Sequence, residues 1–294
     1  MRIGILANRE SWYFRDLQRA AAAVAAVKEV VELSFTSLST ALTPTPTFAS
    51  RECDDLCPFD VVLVRTMPAG SLEQIVFRMN VLHRIAQHQT RVVNSPRCLE
   101  MAIDKYLALA ELQAAGLPVP RTYTSQTWER AMDDFESLGC DVVVKPIFGS
   151  EGRGIVRVTD EDHAWRLFKS LTQLGQVIYQ QEYIEHGGAD VRLLSIDGQL
   201  HAIRRVNQRD WRTNVQRGAR AEPTQASPEM RAMAATAVAA MNAHMLAVDF
   251  LTDPQGRTYV VEVNAVPGWR ALSRTLEIDI AKQVVMSLIN SQAH

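Results

Sequence analysis

The sequence predicts a mixed architecture, with an α/β domain at the amino end followed by α+β subdomains. Strand-like and helix-like segments alternate over residues 1–95, which is typical of a doubly wound parallel sheet. After residue 95, short apolar strands follow one another through glycine-containing turns as well as helices, which indicates α+β units. With 294 residues, of which 47% are apolar, the chain can bury two or three cores.

The N-terminal domain is predicted to span residues 1–95. Its first strand, MRIGILA, leads into an alanine-rich segment typical of a helix, and a second apolar strand follows. A segment rich in Thr, Ser and Pro, residues 36–58, interrupts the alternation as a surface loop. The turn signal NSP at Asn94–Pro96 marks the end of the domain. The predicted elements are strands at Arg2–Ala7, Val30–Phe35, Phe59–Arg65 and Arg91–Asn94 and helices at Phe14–Ala26 and Ser71–His88.

The central subdomain, residues 96–184, is predicted as a compact α+β unit. Its first helix ends before Gly116 with Pro118 just beyond, as expected of a helix C-terminus. A strand with a lysine at its end leads into a glycine-rich turn, and strands and helices alternate after it. The predicted helices are Ala102–Ala115, Thr127–Leu138 and Asp162–Leu174, and the predicted strands are Arg121–Thr124, Cys140–Pro146, Gly154–Val158 and Gln176–Ile184.

The C-terminal subdomain, residues 185–294, begins with a predicted hairpin. Two apolar runs flank Asp197–Gly198, a pair favoured in tight two-residue turns. A polar, arginine-rich loop follows over Asn207–Arg220, and two later strands are joined by the turn sequence TDPQGR. The predicted elements are the hairpin Val191–Arg205, helices at Met230–Met245 and Ile278–Ile289, and strands at Ala247–Leu251 and Thr258–Asn264.

Charge and cysteine content narrow the classes of function. A formal net charge of -2 and a pI near 6.4 provide no overall basic field for nucleic acid. The four cysteines match neither a disulfide framework nor a paired zinc site, so we expect reduced thiols. The sequence shows no secretory leader pattern and no apolar run of membrane-spanning length. We therefore expect a cytoplasmic protein whose partners include neither nucleic acid nor membrane.

Three polar side chains in predicted strands are candidates for a metal site. Glu262 and Asn264 alternate along an otherwise apolar strand, so both point to one face. Asp249 lies in a second apolar strand, and pairing of the two strands would bring the three oxygen-bearing side chains together. Because a partly hydrated set of oxygen ligands suits Mg2+, the trio favours magnesium over three separately hydrogen-bonded buried residues.

Magnesium bound in this way normally accompanies substrate phosphates, so a phosphate cradle is expected nearby. The segment KPIFGSEGRGI provides Lys145 at a strand end and then Gly149, Gly152 and Gly154. Backbone N–H groups of glycines approach phosphate closely, and the lysine supplies a point charge. A purely structural glycine turn is the alternative explanation of the same residues.

Arginines are concentrated in and around the loop Asn207–Arg220. The planar guanidinium group binds phosphate or carboxylate through two hydrogen bonds at once. A solvated basic loop or an oligomer contact is the alternative. No Ser-His-Asp, Cys-His or H-E-x-x-H arrangement stands out, so covalent catalysis by a side chain is not expected. The arginines are Arg204, Arg205, Arg209, Arg212, Arg217 and Arg220.

Eight segments, taken in chain order, resemble the RimK-type branch of the α-L-glutamate ligases in the ATP-grasp superfamily. Their order is more specific than any single motif, and they span most of the chain after Asp104. The resemblance implies an ATP-grasp fold with an N-terminal doubly wound (pre-ATP-grasp) domain, a central lid subdomain and a C-terminal antiparallel-sheet subdomain. The segments are DKYLALAELQAAGLPVPRT, VVKPIFGSEGRGI, QQEYI, GADVRLL, RRVNQRDWRTNVQRGAR, AVDFL, VVEVNAVPG and EIDIA.

The resemblance also implies roles for single residues. Lys105 and Lys145 would contact the ATP phosphates, and Asp190 would hold the ribose. Arg212 and Asn214 would face the phosphates and the reacting carboxyl group, with Arg212 and Lys145 as the catalytic residues. By the same resemblance, the nucleotide-binding set is Lys105, Lys145, the lid residues Gly149, Ser150, Gly152 and Gly154, the adenine-pocket residues Gln181, Glu182, Tyr183 and Ile184, and Asp190, Arg212, Thr213 and Asn214.

Enzymes of this family phosphorylate a carboxylate with ATP, and an amine then attacks the acyl phosphate to give an amide. The resemblance implies an ATP- and Mg2+-dependent carboxylate–amine ligase that uses L-glutamate as the amine and accepts Mn2+ in place of Mg2+. Asp249, Glu262 and Asn264 match the family's metal ligands. Arg65, at the end of a first-domain strand, is either a ligand for a substrate carboxylate or an exposed strand-end arginine.

The lid sequence departs from that of the protein-modifying members. It reads FGSEGRG, whereas the protein-modifying form is closer to GTQGIG, and Glu151 and Arg153 add charge. The form resembles members that add glutamate to small pterin or deazaflavin coenzymes. We therefore expect a tetrahydromethanopterin-like or deazaflavin acceptor, or else a protein C-terminal tail, and a homo-oligomer as is frequent in the family. The alternatives are an ATP-grasp ligase for a different amino acid and an inactive nucleotide-binding regulator.

Overall fold

The amino end of the chain folds into a four-stranded parallel sheet, which confirms the predicted α/β alternation. The structure is a computed structural model and describes residues 1–8, 10–88, 90–149, 152–215 and 218–290. The elements are β1 (Arg2–Leu6), α1 (Trp12–Ala22), β2 (Glu29–Leu33), β3 (Ser39–Ala41), β4 (Thr47–Ala49), β5 (Val61–Val64), α2 (Leu72–Gln87) and β6 (Arg91–Val93). The strand order is β2-β1-β5-β6, and Arg65 follows β5 at the carboxyl edge of the sheet. The segment predicted as a loop over residues 36–58 contains the short antiparallel pair β3 and β4.

The central part contains a four-stranded antiparallel sheet. Its elements are α3 (Pro96–Ile103), α4 (Lys105–Ala114), β7 (Thr122–Ser125), α5 (Trp128–Ser137), β8 (Val142–Lys145), β9 (Val156–Val158), α6 (Glu161–Gln173) and β10 (Ile178–Glu182). The strand order is β7-β10-β8-β9. The predicted strands and helices occur with small shifts at their ends.

Helix α3, which was not predicted, begins where the sequence predicts a turn. The Ser95 hydroxyl accepts a hydrogen bond from the Cys98 N–H, and Pro96 occupies the first helical turn, so the turn signal is also a helix start. The next helix begins at Lys105 rather than Ala102 because the Asp104 carboxylate caps it. The chain therefore enters the central part through two short helices instead of one.

The carboxyl part folds around a five-stranded antiparallel sheet. Its elements are β11 (Ala189–Ile196), β12 (Gln199–Val206), β13 (Arg220–Pro223), α7 (Pro228–Ala240), β14 (Met245–Thr252), β15 (Thr258–Asn264), α8 (Arg270–Leu276) and α9 (Ile280–Asn290). The strand order is β13-β12-β11-β14-β15. The predicted hairpin is confirmed: Asp197 and Gly198, with φ of 47° and 79°, connect β11 to β12. The edge strand β13 and the helix α8 were not predicted.

The apolar cores join the first and last parts of the chain. One core places Leu33 and Val64 of the parallel sheet with Val248 and Val263 of the five-stranded sheet. The central antiparallel sheet packs on its own helices in a separate core whose residues all come from the central part. Among the helices of the described ranges, none is long and apolar enough to cross a membrane.

Asn94 fastens the parallel sheet to the five-stranded sheet. Its amide nitrogen donates to the carbonyls of Met245 and Ala265 at 2.7 and 2.6 Å. Its amide oxygen accepts from the backbone N–H groups of His244 and Met245 at 2.8 and 3.0 Å. The side chain is 1% exposed, so these backbone groups have little access to water as a replacement partner.

We expect Asn94→Ala to lower the free energy of unfolding by about 3 kcal/mol, since it leaves several buried backbone groups without partners. Asn94→Asp should also destabilise the protein, because a carboxylate cannot donate to the two carbonyls. Urea denaturation measures both effects, with Asn80→Ala on the exposed face of α2 as the control. An unchanged midpoint for Asn94→Ala would contradict this account of the junction.

Candidate active site

The predicted metal ligands lie on one face of the five-stranded sheet. Asp249 and Glu262 are Cα partners across β14 and β15, and Asn264 follows two residues after Glu262. On the same two strands, the neighbouring residues Val248 and Val263 point the other way, into the core shared with the parallel sheet. The predicted pairing of the two strands is therefore present, with the three polar side chains on the face opposite that core.

A β-bulge in β15 places Glu262 on the same face as Asp249. Asp249 pairs with Glu262, whereas the next residue, Phe250, pairs with Val260, so β15 has one extra residue. Val260 and Val263 both lie in the apolar core although they are three residues apart. The extra residue therefore turns Glu262 out of the core and opposite Asp249, which is how bulges near functional sites redirect side chains.

Two arginines contact the carboxylate of Asp249, a residue that is 5% exposed. The Nε and Nη2 of Arg192 each donate to one of its carboxylate oxygens at 2.6 Å. Arg205 lies 3.0 Å from Asp249 and also donates to both oxygens of Asp190, at 2.7 and 2.5 Å. The Thr213 hydroxyl donates to Asp190 as well. Burial raises the pKa of Asp249, but the charges of Arg192 and Arg205 outweigh this effect and lower the pKa to about 2. The carboxylate is therefore ionised at neutral pH.

Two lysines extend the charged face beyond Glu262. The Lys105 ammonium is 4.0 Å from a Glu262 carboxylate oxygen and donates to the Gly149 carbonyl at 2.5 Å. The Lys145 ammonium donates to the side-chain oxygen of Gln181 at 2.6 Å. Burial lowers the pKa of Lys145 to about 8, against the opposing attraction of Glu262. Lys145 is therefore mostly protonated at neutral pH, and it presents a positive charge with little water around it.

The donor chemistry at this face fits Mg2+. Two carboxylates and one amide oxygen are hard oxygen ligands, and magnesium commonly takes few protein ligands and completes its shell with water and phosphate oxygens. In the described ranges, no group of three or more His, Cys, Asp or Glu side chains is arranged to hold a metal ion. Asn264 is oriented by its own turn, since its side-chain oxygen accepts from the Val266 N–H at 2.8 Å.

The glycine-rich lid lies beside these lysines. Gly149, Gly152 and Gly154 have φ of 142°, 70° and 71°, in the region that favours glycine. At Gly154, a Cβ would lie 2.8 Å from Cγ of Pro146, so a side chain there would require the turn to shift. The predicted lid residue Ser150 lies outside the described residues.

The segment predicted to line the adenine pocket, Gln181–Ile184, forms the end of β10 and the chain just after it. The Glu182 carboxylate accepts from the Arg121 Nε at 2.7 Å. The Tyr183 ring is covered by the guanidinium of Arg157, 3.4 Å from its centroid. The segment is thus held by charged and aromatic contacts, and its nucleotide-binding role stays a prediction.

The loop that follows β12 brings Arg212 towards the lid. Its guanidinium forms an ion pair with Asp210, with contacts down to 2.7 Å, and donates to the Ile155 carbonyl at 3.4 Å. Asn214 is half-buried two residues later. The structure therefore places Arg212 next to the lid segment, while Arg217 lies outside the described residues.

Two arginines have contacts that the sequence does not predict. Arg192 was visible in the motif DVR, two residues after Asp190 and on the same strand face, but its partner Asp249 is 57 residues away. Arg65 was expected either at a substrate carboxylate or exposed at a strand end. The exposed alternative is wrong, since Arg65 is 4% exposed and donates to the Pro267 carbonyl at 2.8 Å.

Comparison with known proteins places this geometry in a family. The model of the RimK-like ATP-grasp domain matches residues 102–288. The tetrahydromethanopterin:alpha-L-glutamate ligase of Methanosarcina acetivorans is 27% identical, over 98% of this chain and 99% of that protein. The ligase of the same name from Methanocaldococcus jannaschii is 32% identical, over 72% of this chain and 75% of that protein.

A solved structure has the same fold. The ATP-grasp ligase PsnB, complexed with a minimal precursor, Mg and ADP, has a TM-score of 0.75 at 20% identity. The alignment covers 99% of this chain and 98% of that one. The predicted ATP-grasp fold is thereby confirmed, and the family model covers well over half of the sequence. This chain belongs to the RimK-like ATP-grasp family.

Proposed function

We propose that this protein is an ATP- and Mg2+-dependent carboxylate–amine ligase that adds L-glutamate to a carboxylate acceptor through an acyl phosphate. The observation that carries the proposal is the charged face on which Asp249, Glu262 and Asn264 lie beside Lys105 and Lys145. Family membership supports the reaction type, and the Mg and ADP bound by PsnB support the nucleotide and the metal.

The metal would be held by the two carboxylates and the amide of this face. When bound, Mg2+ supplies Lewis acidity that neutralises charge on the phosphate oxygens. Asp249 is suited to this role because its carboxylate stays ionised despite burial. Glu262 is suited because it lies opposite Asp249 and its side chain is 36% exposed, which leaves access from solution.

Lys105 and Lys145 would bind the phosphates of ATP. Lys145 is half-buried, and burial lowers the pKa of its ammonium group, so its hydrogen bonds to an anion would be stronger than those of a surface lysine. Lys105 contacts the lid through the Gly149 carbonyl, so one side chain would connect the phosphates with the lid. The lid residues Gly149, Ser150, Gly152 and Gly154 would cover the triphosphate.

The acceptor carboxylate would attack the terminal phosphoryl group of ATP to form an acyl phosphate and ADP. The glutamate amine would then attack the acyl carbon, so that an amide forms, phosphate leaves and the amine loses a proton. Arg212 and Lys145 are the proposed catalytic residues, because their positive charges would stabilise the oxygens that gain negative charge. The proximity of Arg212 to the lid supports its place in this step.

The other proposed nucleotide contacts come from the adenine and ribose ends of the site. Gln181, Glu182, Tyr183 and Ile184 would line the adenine pocket at the end of β10. Asp190 would hold the ribose, and Thr213 and Asn214 would complete the set. In the structure the Asp190 carboxylate accepts hydrogen bonds from Arg205 and Thr213, so a ribose hydroxyl would join this network as a further hydrogen-bond partner.

The acceptor we propose is a small coenzyme of the tetrahydromethanopterin class. Two observations support this acceptor: the lid sequence FGSEGRG, and the two relatives named as tetrahydromethanopterin:alpha-L-glutamate ligases. A deazaflavin coenzyme or a protein C-terminal tail is the alternative acceptor. For the protein itself, the alternatives are an ATP-grasp ligase for a different amino acid and an inactive nucleotide-binding regulator. The full set of charged groups at the site favours an active enzyme over the regulator.

The experiment is a product assay with ATP, Mg2+, L-glutamate and a panel of acceptors, read by mass spectrometry with ADP measured in parallel. The panel contains a reduced pterin coenzyme, a deazaflavin coenzyme and peptides with acidic C-terminal tails. We expect a glutamyl adduct on the pterin coenzyme and stoichiometric ADP. ADP without an adduct would mean that the amine or the carboxylate substrate is a different one, and ATP binding without either product would support an inactive regulator.

Four further properties belong to this proposal. Mn2+ should replace Mg2+, since it accepts the same oxygen ligands. The four free cysteines support a reducing, cytoplasmic location, and a homo-oligomer follows from the family resemblance alone. The proposed domain boundaries lie after residues 95 and 184. The short segment that joins β6 to α3 supports the first boundary, and the segment after β10 supports the second.

A further inference from the structure

Arg65 is a buried arginine whose surroundings are neutral. Its guanidinium lies over the rings of Trp269 and Tyr13, 4.2 and 5.0 Å from their centroids. One nitrogen donates to the Pro267 carbonyl at 2.8 Å, and another lies 3.9 Å from the Met245 sulfur. Within the described residues no carboxylate forms an ion pair with it, and its Nε has no hydrogen-bond partner.

Burying the charged Arg65 side chain costs free energy, so its contacts should have a role that offsets this cost. Burial lowers the pKa of Arg65 to about 10, so the group remains charged at neutral pH. A buried charge without a counter-ion is tolerated only where other groups compensate for lost water. Here the compensation comes from one carbonyl and two aromatic faces, and the carbonyl is the directional contact.

The carbonyl that Arg65 holds belongs to the turn after the metal-ligand strand. This turn, residues 264–267, is fixed at three points. Arg65 binds the Pro267 carbonyl, Asn94 binds the Ala265 carbonyl, and the Val266 N–H donates to the side-chain oxygen of Asn264. The orientation of the Asn264 amide therefore depends on the turn, and two of the three contacts that fix the turn come from the N-terminal domain.

The residues after the turn are held by the same domain. The Trp269 indole nitrogen donates to the Asp16 carboxylate at 3.0 Å, and Trp269 is fully buried. A Cβ at Gly268 would lie 2.5 Å from the Tyr13 hydroxyl, so a side chain at this position would require the tyrosine to move. The Arg65 guanidinium packs against both of these rings, which also contact each other edge to face with 5.1 Å between their centroids.

We propose that Arg65 is a positioning residue for Asn264: by holding the Pro267 carbonyl it fixes the turn that orients the Asn264 amide towards the metal. The inference rests on the proposed function, since it takes Asn264 to be a Mg2+ ligand. It gives the N-terminal domain a part in metal binding, because Arg65 belongs to that domain and acts through the backbone of the C-terminal sheet. Groups that orient metal ligands commonly change metal affinity when they are removed.

The test measures Mn2+ binding in the presence of ADP by electron paramagnetic resonance, which does not depend on turnover. We expect Arg65→Met to weaken Mn2+ binding about ten-fold or more. Arg91→Met is the matched control. Arg91 is also a strand-end arginine of the parallel sheet with an unpartnered Nε among the described residues, and it donates to a carbonyl of the C-terminal part, Leu288, at 2.6 Å. Arg91→Met should leave Mn2+ binding unchanged.

A double-mutant cycle separates positioning from a general loss of structure. If Arg65 acts through Asn264, Arg65→Met should have no further effect on Mn2+ affinity in an Asn264→Ala background. Full additivity of the two effects would overturn the proposal, as would wild-type Mn2+ affinity in Arg65→Met. Should the methionine variant not fold, Arg65→Gln decides, because the glutamine amide ends about where the Arg65 Nε lies, short of the Pro267 carbonyl, and wild-type Mn2+ affinity would again overturn the proposal.

The two claims fail in different ways. If wild-type protein binds no Mn2+ with ADP, or if binding survives Glu262→Gln unchanged, the metal site of the proposed function is wrong. If wild-type binding requires Glu262 and Arg65→Met still binds normally, the metal site stands and the positioning role of Arg65 is wrong.

Discussion

Glu262→Gln is expected to reduce ADP formation about a thousand-fold while the protein stays folded. The substitution removes one of the two carboxylates that would hold the metal, and metal stabilisation of the transferred phosphoryl group contributes several kcal/mol. Since each 1.4 kcal/mol is a factor of ten in rate, about 4 kcal/mol gives a loss of this size. Steady-state ADP release at saturating ATP and Mg2+ measures the effect.

Stability should change little in this variant. The Glu262 side chain is 36% exposed, and its ion pair with Lys105 is long at 4.0 Å, so its loss removes only a screened interaction. Glu222→Gln is the control, because Glu222 lies on β13 of the same sheet and pairs only loosely with Arg204 and Arg220. Retention of wild-type ADP formation by Glu262→Gln would exclude Glu262 as a metal ligand.

Lys145→Met should weaken ADP binding about 10- to 100-fold and reduce turnover at least as much. A hydrogen bond to a charged group contributes about 1.5–3 kcal/mol, and the low solvent access of Lys145 places it at the upper end. Isothermal titration with ADP and Mg2+ measures the affinity. The fold should survive, because methionine fills a similar volume and avoids burying a charge.

The control for this variant is Lys169→Met. Lys169 belongs to the same central subdomain, but it lies over the Trp165 ring, 4.5 Å from its centroid, on the outer surface of α6. It should bind ADP with unchanged affinity. Equal ADP affinity in Lys145→Met and wild type would mean that Lys145 serves only its hydrogen bond with Gln181.

Local signals were sufficient for most of the fold. The alternation of strands and helices at the amino end, and the Asp197–Gly198 turn of the hairpin, depend on residues close in sequence, and both are confirmed. The missed helix α3 also had a local signal, a serine cap followed by proline, which was interpreted as a turn. That error arose because the same residues start turns and helices.

The candidate site was only partly predictable, because its geometry depends on contacts between distant segments. The side chains of Glu262 and Asn264 could be placed on one face from their spacing alone. The bulge that puts Glu262 opposite Asp249 has no such signal, since an uninterrupted alternation from Val260 would direct Glu262 into the core.

Long-range partners were the least predictable feature. Arg65 lies 202 residues from Pro267, and its burial results from the packing of Trp269 against Tyr13 of the N-terminal domain. A strand-end arginine gives no indication in sequence of which carbonyl it will bind. The contacts of the N-terminal domain with the turn at residues 264–267 could therefore emerge only from the structure.

Transfer of oxygen from the acceptor to phosphate tests the central claim most directly. The acceptor that gains a glutamyl residue is prepared with 18O in both oxygens of its carboxyl group and incubated with ATP, Mg2+ and L-glutamate. Attack of this carboxylate on ATP carries one of its oxygens into the phosphate that leaves, so one 18O should appear in inorganic phosphate for each amide formed. Unlabelled phosphate, with the amide still formed, would contradict the acyl phosphate and with it the proposed reaction.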